Sequence, residues 1–229
     1  MNILFTKQLD KNEITDVLGN SVSYDFVDVI KIEHRAVHGF PLENKSLIFT
    51  SVNGVEAFFE NGFVPHENLA DRNFNKIYCV GRKTKQQLRK HGFGVFKMKK
   101  NARDLSEFII DKCTTESFIH FCGDLALDIL QKQLPLQNIG YRKVVVYETH
   151  LLYPKVEPSH DAVVFFSPSG VRSFVKNNKL DYQHIFSIGE TTSAEIALHT
   201  SKHIHTARQN DLSGVLQLIQ LEKNKIQSQ

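Results

Sequence analysis

The sequence predicts an α/β protein of two doubly wound parallel-sheet domains, and three observations carry that expectation. Short apolar runs alternate with segments of helical period along the whole chain, the pattern of parallel strands covered on both faces by helices. Two of those runs, Leu47-Ile48-Phe49 and Val163-Val164-Phe165-Phe166, lead into near copies of one turn, Ser51-Val52-Asn53-Gly54-Val55 and Ser167-Pro168-Ser169-Gly170-Val171, 116 residues apart (51 to 167). Two more echoes keep the same order: Val80-Gly81-Arg82-Lys83-Thr84 with Ile188-Gly189-Glu190-Thr191-Thr192, and Asp104-Leu105-Ser106 with Asp211-Leu212-Ser213.

The elements follow in order. Residues 2–6 read as a buried strand and 11–18 as a short helix stopped by Gly19-Asn20. Alternation over 24–32 predicts a second strand, and 47–50 a third, which hands over at Ser51 to a helix through Val55, Phe58 and Phe59 ending at Asn61-Gly62. A polar loop over 65–75 leads to strand 76–80, a helix from Thr84 with Leu88 inward and Gly92 as its stop, and strand 95–98. Next come an amphipathic helix over 101–111, strand 118–122, a helix through Leu127 and Leu130 to Leu134, and strand 143–147. The remainder holds strands 162–166, 184–188 and 202–206, with helices through Val171, Phe174 and Val175, over 191–198, and from Leu212 to about Leu221.

Residues 162–229 thus supply only three strand–helix units, whereas a doubly wound domain usually has five strands. The two N-terminal strands supply the missing pair. One domain is therefore expected to be discontinuous, residues 1–34 plus 152–229, with residues 35–151 inserted as the second. On that layout Phe5-Thr6-Lys7 matches Phe121-Cys122-Gly123, residues 27–32 match 144–149, and segments 34–42 and 150–158 are two linkers that permit hinge motion.

Composition narrows the function classes. With 41% hydrophobic and 23% charged residues, the 229-residue chain has the make-up of an ordinary globular protein. No apolar run reaches the roughly 20 residues that span a bilayer and Ile3-Leu4-Phe5 is too short for a secretory signal, so no membrane role and a cytoplasmic location are expected. Cys79, Cys113 and Cys122 are odd in number and lack C-x-x-C spacing, which favours reduced, partly buried thiols. A net charge of +3 does not argue for nucleic acid, and no nucleic-acid module accompanies it. Basic residues do crowd one stretch, from Arg82, Lys83, Lys85, Arg89 and Lys90 to Lys97, Lys99, Lys100 and Arg103. They read either as a solvated helix face or as a basic rim that draws in a polyanion.

Each Ser/Gly turn stands where a strand passes into a helix, so it presents free backbone N–H groups and the positive end of a helix dipole. Two such turns, facing each other, suggest an anion-binding cleft between domains. The same serines are also expected simply as helix N-caps.

Taken together the blocks resemble uroporphyrinogen-III synthase. The resemblance rests on Phe49-Thr50-Ser51 and Phe165-Phe166-Ser167-Pro168-Ser169-Gly170, on the Gly-x-x-Thr and Gly-x-Thr-Thr turns ending at Thr84 and Thr192, and on Val146-Tyr147-Glu148-Thr149. It runs from about Ile3 to Leu218. What it implies is two flavodoxin-like domains, the second inserted into the first, with the active site in the cleft between them. The implied substrate is the linear tetrapyrrole hydroxymethylbilane, closed with loss of water and inversion of its last ring, with no cofactor and no metal. The pyrrole itself expels the hydroxyl and supplies the nucleophilic carbon, so orientation is the expected catalytic contribution. An octacarboxylate would be gripped by hydroxyls and N–H groups at Ser51, Asn53, Gly54, Thr84, Gly123, Ser167, Ser169, Gly170, Thr191 and Thr192, with Lys7 adding charge. Tyr147 matches the family tyrosine proposed to assist departure of the hydroxyl; the rival reading is a tyrosine that only satisfies its own hydroxyl. A monomer is expected, with transient contact to the preceding pathway enzyme. The alternative function is a two-domain protein that binds a tetrapyrrole or other polyanion without transforming it.

Lys7 stands where the family often has arginine, Glu190 where it has proline, and Cys122-Gly123-Asp124-Leu125-Ala126 lacks the arginine often found after that glycine. A carboxylate at 190 should therefore point to solvent. His199, His203 and His205 do not share one helical face, so metal ligation is not expected there. Gly92-Phe93-Gly94 follows a helix, where a dinucleotide fingerprint would precede one, and no base accompanies Ser51 or Ser167 as it would in acyl transfer.

Overall fold

The computed structural model describes residues 1–68 and 73–227, so part of the loop expected at 65–75 lies outside the described residues. Among those described, eleven strands and eight helices alternate, and every pairing with a defined register is parallel. By packing, the chain forms two compact units, one from residues 1–31 and 150–229, the other from residues 32–149.

In the first unit, β1 (Asn2–Phe5), β2 (Ser23–Phe26), β9 (Ala162–Phe165), β10 (His184–Ser187) and β11 (Ile204–Thr206) form one sheet in the order β11-β10-β9-β1-β2. Strand alternation sorts its apolar residues onto two faces. Ile3, Phe5, Ala162 and Val164 pack with Ile14 and Leu18 of α1 (Lys11–Leu18) and Val215 and Ile219 of α8 (Leu212–Gln227). Leu4, Val163 and Phe165 pack with Val171 and Phe174 of α6 (Pro168–Val175) and Ile196 of α7 (Glu190–Ala197).

The second unit repeats the plan. β4 (Ser46–Phe49), β5 (Ile77–Val80), β6 (Lys97–Lys99), β7 (Ser117–Gly123) and β8 (Gly140–Leu151) lie in the order β8-β7-β4-β5-β6, with β3 (Ile30–His34) beside β8. One face holds Leu47, Phe49, Cys79, Ile119 and Phe121 against Val55 and Phe58 of α2 (Val52–Glu60) and Leu88 of α3 (Arg82–Lys90). The other holds Ile48, Tyr78 and Phe118 against Leu105 and Ile109 of α4 (Ala102–Lys112) and Leu130 and Leu134 of α5 (Ile129–Leu136). The two sheets share one spatial order, but the chain enters them at different points: β1 and β7 occupy equivalent places, as do β9 and β4.

Two expectations are corrected. The strand expected over 24–32 is two strands in different sheets, β2 and β3. Alternation reports which side chains are buried, not which sheet supplies the partner. The counterpart of β8 in the internal repeat is β2: Ser23 pairs with Asn2 as Gly140 pairs with Ser117, a register that sets residue 27 level with 144, although β2 ends at Phe26 while β8 runs on to Leu151. Leu127 precedes α5 and is exposed, because the helix begins only at Ile129.

Candidate functional site

Parallel strands bring their carboxyl ends to one edge of a sheet, and ligands of open α/β sheets bind at that edge where the strand order reverses. In the second unit the reversal lies between β4 and β7; in the first it lies between β9 and β1. Ser51, Asn53, Gly54 and Gly123 follow or end the strands at one of these places, Lys7, Ser167, Ser169 and Gly170 those at the other, while Thr84 and Thr191–Thr192 follow β5 and β10, one strand further along.

At the end of β4, Ser51 is the N-cap of α2, and its Oγ accepts the Gly54 N–H at 3.0 Å. At the end of β9, Ser167 caps α6 in the same way, its Oγ accepting the Gly170 N–H at 3.0 Å. Their backbones agree as well, φ −152° and ψ 157° against φ −162° and ψ 155°. Both glycines stand in tight places. A Cβ on Gly54 would stand 2.9 Å from the Phe121 carbonyl oxygen, and one on Gly170 3.0 Å from Val29 Cγ2. Asn53 and Ser169 hold equivalent, half-buried places in the first turns, where backbone N–H groups have no intrahelical acceptor. Ser169 Oγ lies 3.1 Å from Ser167 Oγ.

The corners differ in what stands behind the serine. Tyr147 Oη donates to Ser51 Oγ at 3.0 Å. With Gly54 N–H and Tyr147 O–H filling both lone pairs, the Ser51 hydroxyl has only its proton left to offer. A bulge aims that tyrosine. β8 carries one extra residue opposite Cys122/Gly123, so Val146 and Tyr147 both pack on the α2 side of the sheet. Gly123 makes room, since a Cβ there would lie 2.4 Å from the Tyr147 ring. Burial raises the Tyr147 pKa, the hydrogen bond to Ser51 opposes it less strongly, and the group stays a phenol.

Gly81 and Gly189 are the N-caps of α3 and α7, each without a side-chain cap bond. Thr84 and Thr192 are 3% exposed, so those corners present mainly backbone N–H groups. Thr191 is exposed, and so is Glu190, which turns to solvent as its charge requires. Lys7, exposed, follows β1 at the first unit's reversal point. Arg82 and Lys83 place two cations in the first turn of α3, where the helix dipole disfavours them unless an anion is bound. Of the remaining basic stretch, Lys97 and Lys99 stand over the Phe108 ring, 4.8 and 5.1 Å from its centroid.

One set of residues was not legible as functional. Thr50, one residue before Ser51, lies 2.9 Å from His120 Nε2, and His120 Nδ1 lies 2.8 Å from Tyr141 Oη. A lone histidine within an apolar strand reads as core, and nothing in its spacing announces Thr50. No cluster of metal-ligating side chains occurs among the described residues, and no helix among them is long and apolar enough to cross a membrane.

Residues 22–217 match the family model described as uroporphyrinogen-III synthase HemD. Among solved structures, the uroporphyrinogen-III synthetase of Helicobacter pylori superposes with a TM-score of 0.66 at 18% identity, covering 98% of this chain and 99% of that one. A mutant uroporphyrinogen III synthase of Thermus thermophilus superposes at 0.64 with 12% identity, covering 100% of both chains. At such identities the likeness shows the fold. A search of curated proteins gave no match.

Proposed function

The chain belongs to the uroporphyrinogen-III synthase family, the cyclising lyases of haem biosynthesis, and from that premise we propose that it closes hydroxymethylbilane to uroporphyrinogen III. The observation that carries the reading is the pair of matched corners, each a serine Oγ 3.0 Å from a glycine N–H at the carboxyl edge of a parallel sheet. Such corners offer substrate carboxylates the hydroxyl and N–H donors of Ser51, Asn53 and Gly54, and of Ser167, Ser169 and Gly170. First-turn N–H groups near Thr84, Thr191 and Thr192, and the charge of Lys7, complete the grip. Neutral donors suit this task because they carry no buried counter-charge whose desolvation must be offset.

The chemistry asks little acid or base of the protein. The terminal pyrrole nitrogen pushes out the hydroxyl as its C–O bond breaks, and the departing oxygen takes a proton and leaves as water; the last ring attacks through its already bridged α-carbon, the old bridge bond breaks and re-forms at the free α-carbon, and the proton on that carbon is lost. Tyr147, a phenol beside Gly123, is read as the donor to the departing oxygen, directly or through Ser51. Orientation decides which carbon attacks, and therefore which isomer forms.

The two compact units are read as flavodoxin-like domains, the second inserted into the first, since each sheet follows the 2-1-3-4-5 order of that fold when strands are numbered by place. A cytoplasmic monomer that receives its unstable substrate from the preceding enzyme belongs to the same proposal. The test is to supply freshly generated hydroxymethylbilane and separate the porphyrin isomers after oxidation. Type III product formed faster than spontaneous closure is expected; type I at the uncatalysed rate, with binding retained, would leave only a tetrapyrrole-binding protein.

A further inference from the structure

The end of β4 carries two neighbouring hydroxyls, Thr50 and Ser51, and each has a tyrosine of β8 behind it. Tyr147 reaches Ser51 directly on the α2 face. Tyr141 reaches Thr50 on the opposite face through His120, with contacts of 2.8 Å to Nδ1 and 2.9 Å from Nε2. We propose that Thr50 is a further substrate-facing donor of this site, and that His120 is the positioning residue which turns the Thr50 hydroxyl proton outward toward a substrate carboxylate.

The argument is one of counting protons. His120 is 1% exposed, and burial, with a smaller push from the Lys143 charge, lowers its pKa to about 3. Lys143 itself is engaged, by Asp128 at 3.2 Å and the Ala126 carbonyl at 3.4 Å. The imidazole is therefore neutral, with one nitrogen donating and the other accepting. Burial raises the Tyr141 pKa and keeps it a phenol. A phenol is a stronger acid than an aliphatic hydroxyl, so Tyr141 donates to Nδ1 and the ring proton sits on Nε2. Nε2–H then donates to Thr50 Oγ1, and the threonine proton is free to point away from the ring. The opposite tautomer would draw that proton inward and present lone pairs to an anion, which repels a carboxylate. Thr50 itself is half-buried at the carboxyl edge of β4, beside the strand-order reversal.

The nature of the ligand rests on the proposed function, whereas the tautomer does not, and the experiment separates them. Nitrogen NMR of histidine-labelled protein is expected to show, for the signal lost in His120→Gln, a neutral ring protonated on Nε2 that does not titrate between pH 5 and 8. An Nδ1-protonated ring overturns the proposal whether or not the protein makes type III isomer. With hydroxymethylbilane, Thr50→Val is expected to lower kcat/KM about 10-fold, mainly through KM, the size of one hydrogen bond to a charged group. Thr50→Ser should restore most of that loss. His120→Gln should cost a similar factor in the wild-type background and almost none in Thr50→Val. An equal cost in both backgrounds means that His120 only supports the core, and overturns the proposal. Tyr141→Phe, which removes one oxygen, provides the same cycle if His120→Gln does not fold.

Discussion

The Tyr147 ring occupies the space that a side chain on residue 123 would need: a Cβ at Gly123 would meet ring carbons at 2.4 Å and the hydroxyl at 2.8 Å. Gly123 and Tyr147 are paired across β7 and β8 at the bulge, so the glycine is the floor on which the tyrosine reaches Ser51. Gly123→Ala is expected to push the ring aside, lowering turnover at least about 10-fold while costing roughly 1–3 kcal/mol of stability. Tyr147→Phe should slow turnover with little change in substrate affinity or melting temperature. Steady-state kinetics beside thermal melts will separate the two variants, and full turnover in both would remove Tyr147 from the chemistry.

The two capping glycines are not equally replaceable. A methyl at Gly54 meets a backbone oxygen of β7 at 2.9 Å, while one at Gly170 meets a valine methyl at 3.0 Å and the Ser167 hydroxyl at 3.1 Å. Backbone yields less readily than a side-chain end. Gly54→Ala is expected to destabilise by about 1–3 kcal/mol and Gly170→Ala by less, both read from urea unfolding at fixed pH.

Glu116 ties three strand starts together, accepting from Ser46 Oγ at 2.5 Å, Lys76 Nζ at 2.7 Å and Tyr78 Oη at 2.9 Å. Burial pushes its pKa up, but the hydrogen bonds from Lys76, Ser46 and Tyr78 outweigh it and hold the carboxyl below its ordinary value. A depressed folded pKa contributes stability above the unfolded pKa and loses it as pH falls through the folded one. Glu116→Gln should therefore destabilise by about 1–3 kcal/mol at pH 7. The gap from wild type should shrink below about pH 4.3, where the unfolded glutamate protonates. A pH-independent gap would show that the carboxylate charge is immaterial.

Cys79, Cys113 and Cys122 are all buried and free. Burial pushes the Cys79 thiol up to about 12 and the Cys122 thiol up to about 11. Thiolate is the reactive form, so a disulfide reagent at pH 8 is expected to titrate almost no thiol in the native protein and all three after denaturation. Prompt reaction in the native state would contradict the packing around them.

Element types, the α/β class and the Ser/Gly corners were legible because they depend on local rules: apolar runs of strand length, a serine before a glycine at a helix start, a glycine where the helix stops. Ser51 and Ser167, 116 residues apart, could be matched from the sequence for that reason. The break between β2 and β3, the aim of Tyr147 and the Thr50–His120–Tyr141 line could not. Each depends on a register: one added residue in β8 turns a side chain to the other face, and only the pairing of β7 with both β4 and β8 sets a histidine between a threonine and a tyrosine. What the sequence by itself determined was which donors the chain carries at its strand ends, since burial pattern and capping are written within a few residues. What the tertiary structure alone decided was which hydroxyls stand behind which. Hydrogen bonds between residues 70 and 96 apart are set by strand pairing, and no local periodicity encodes them.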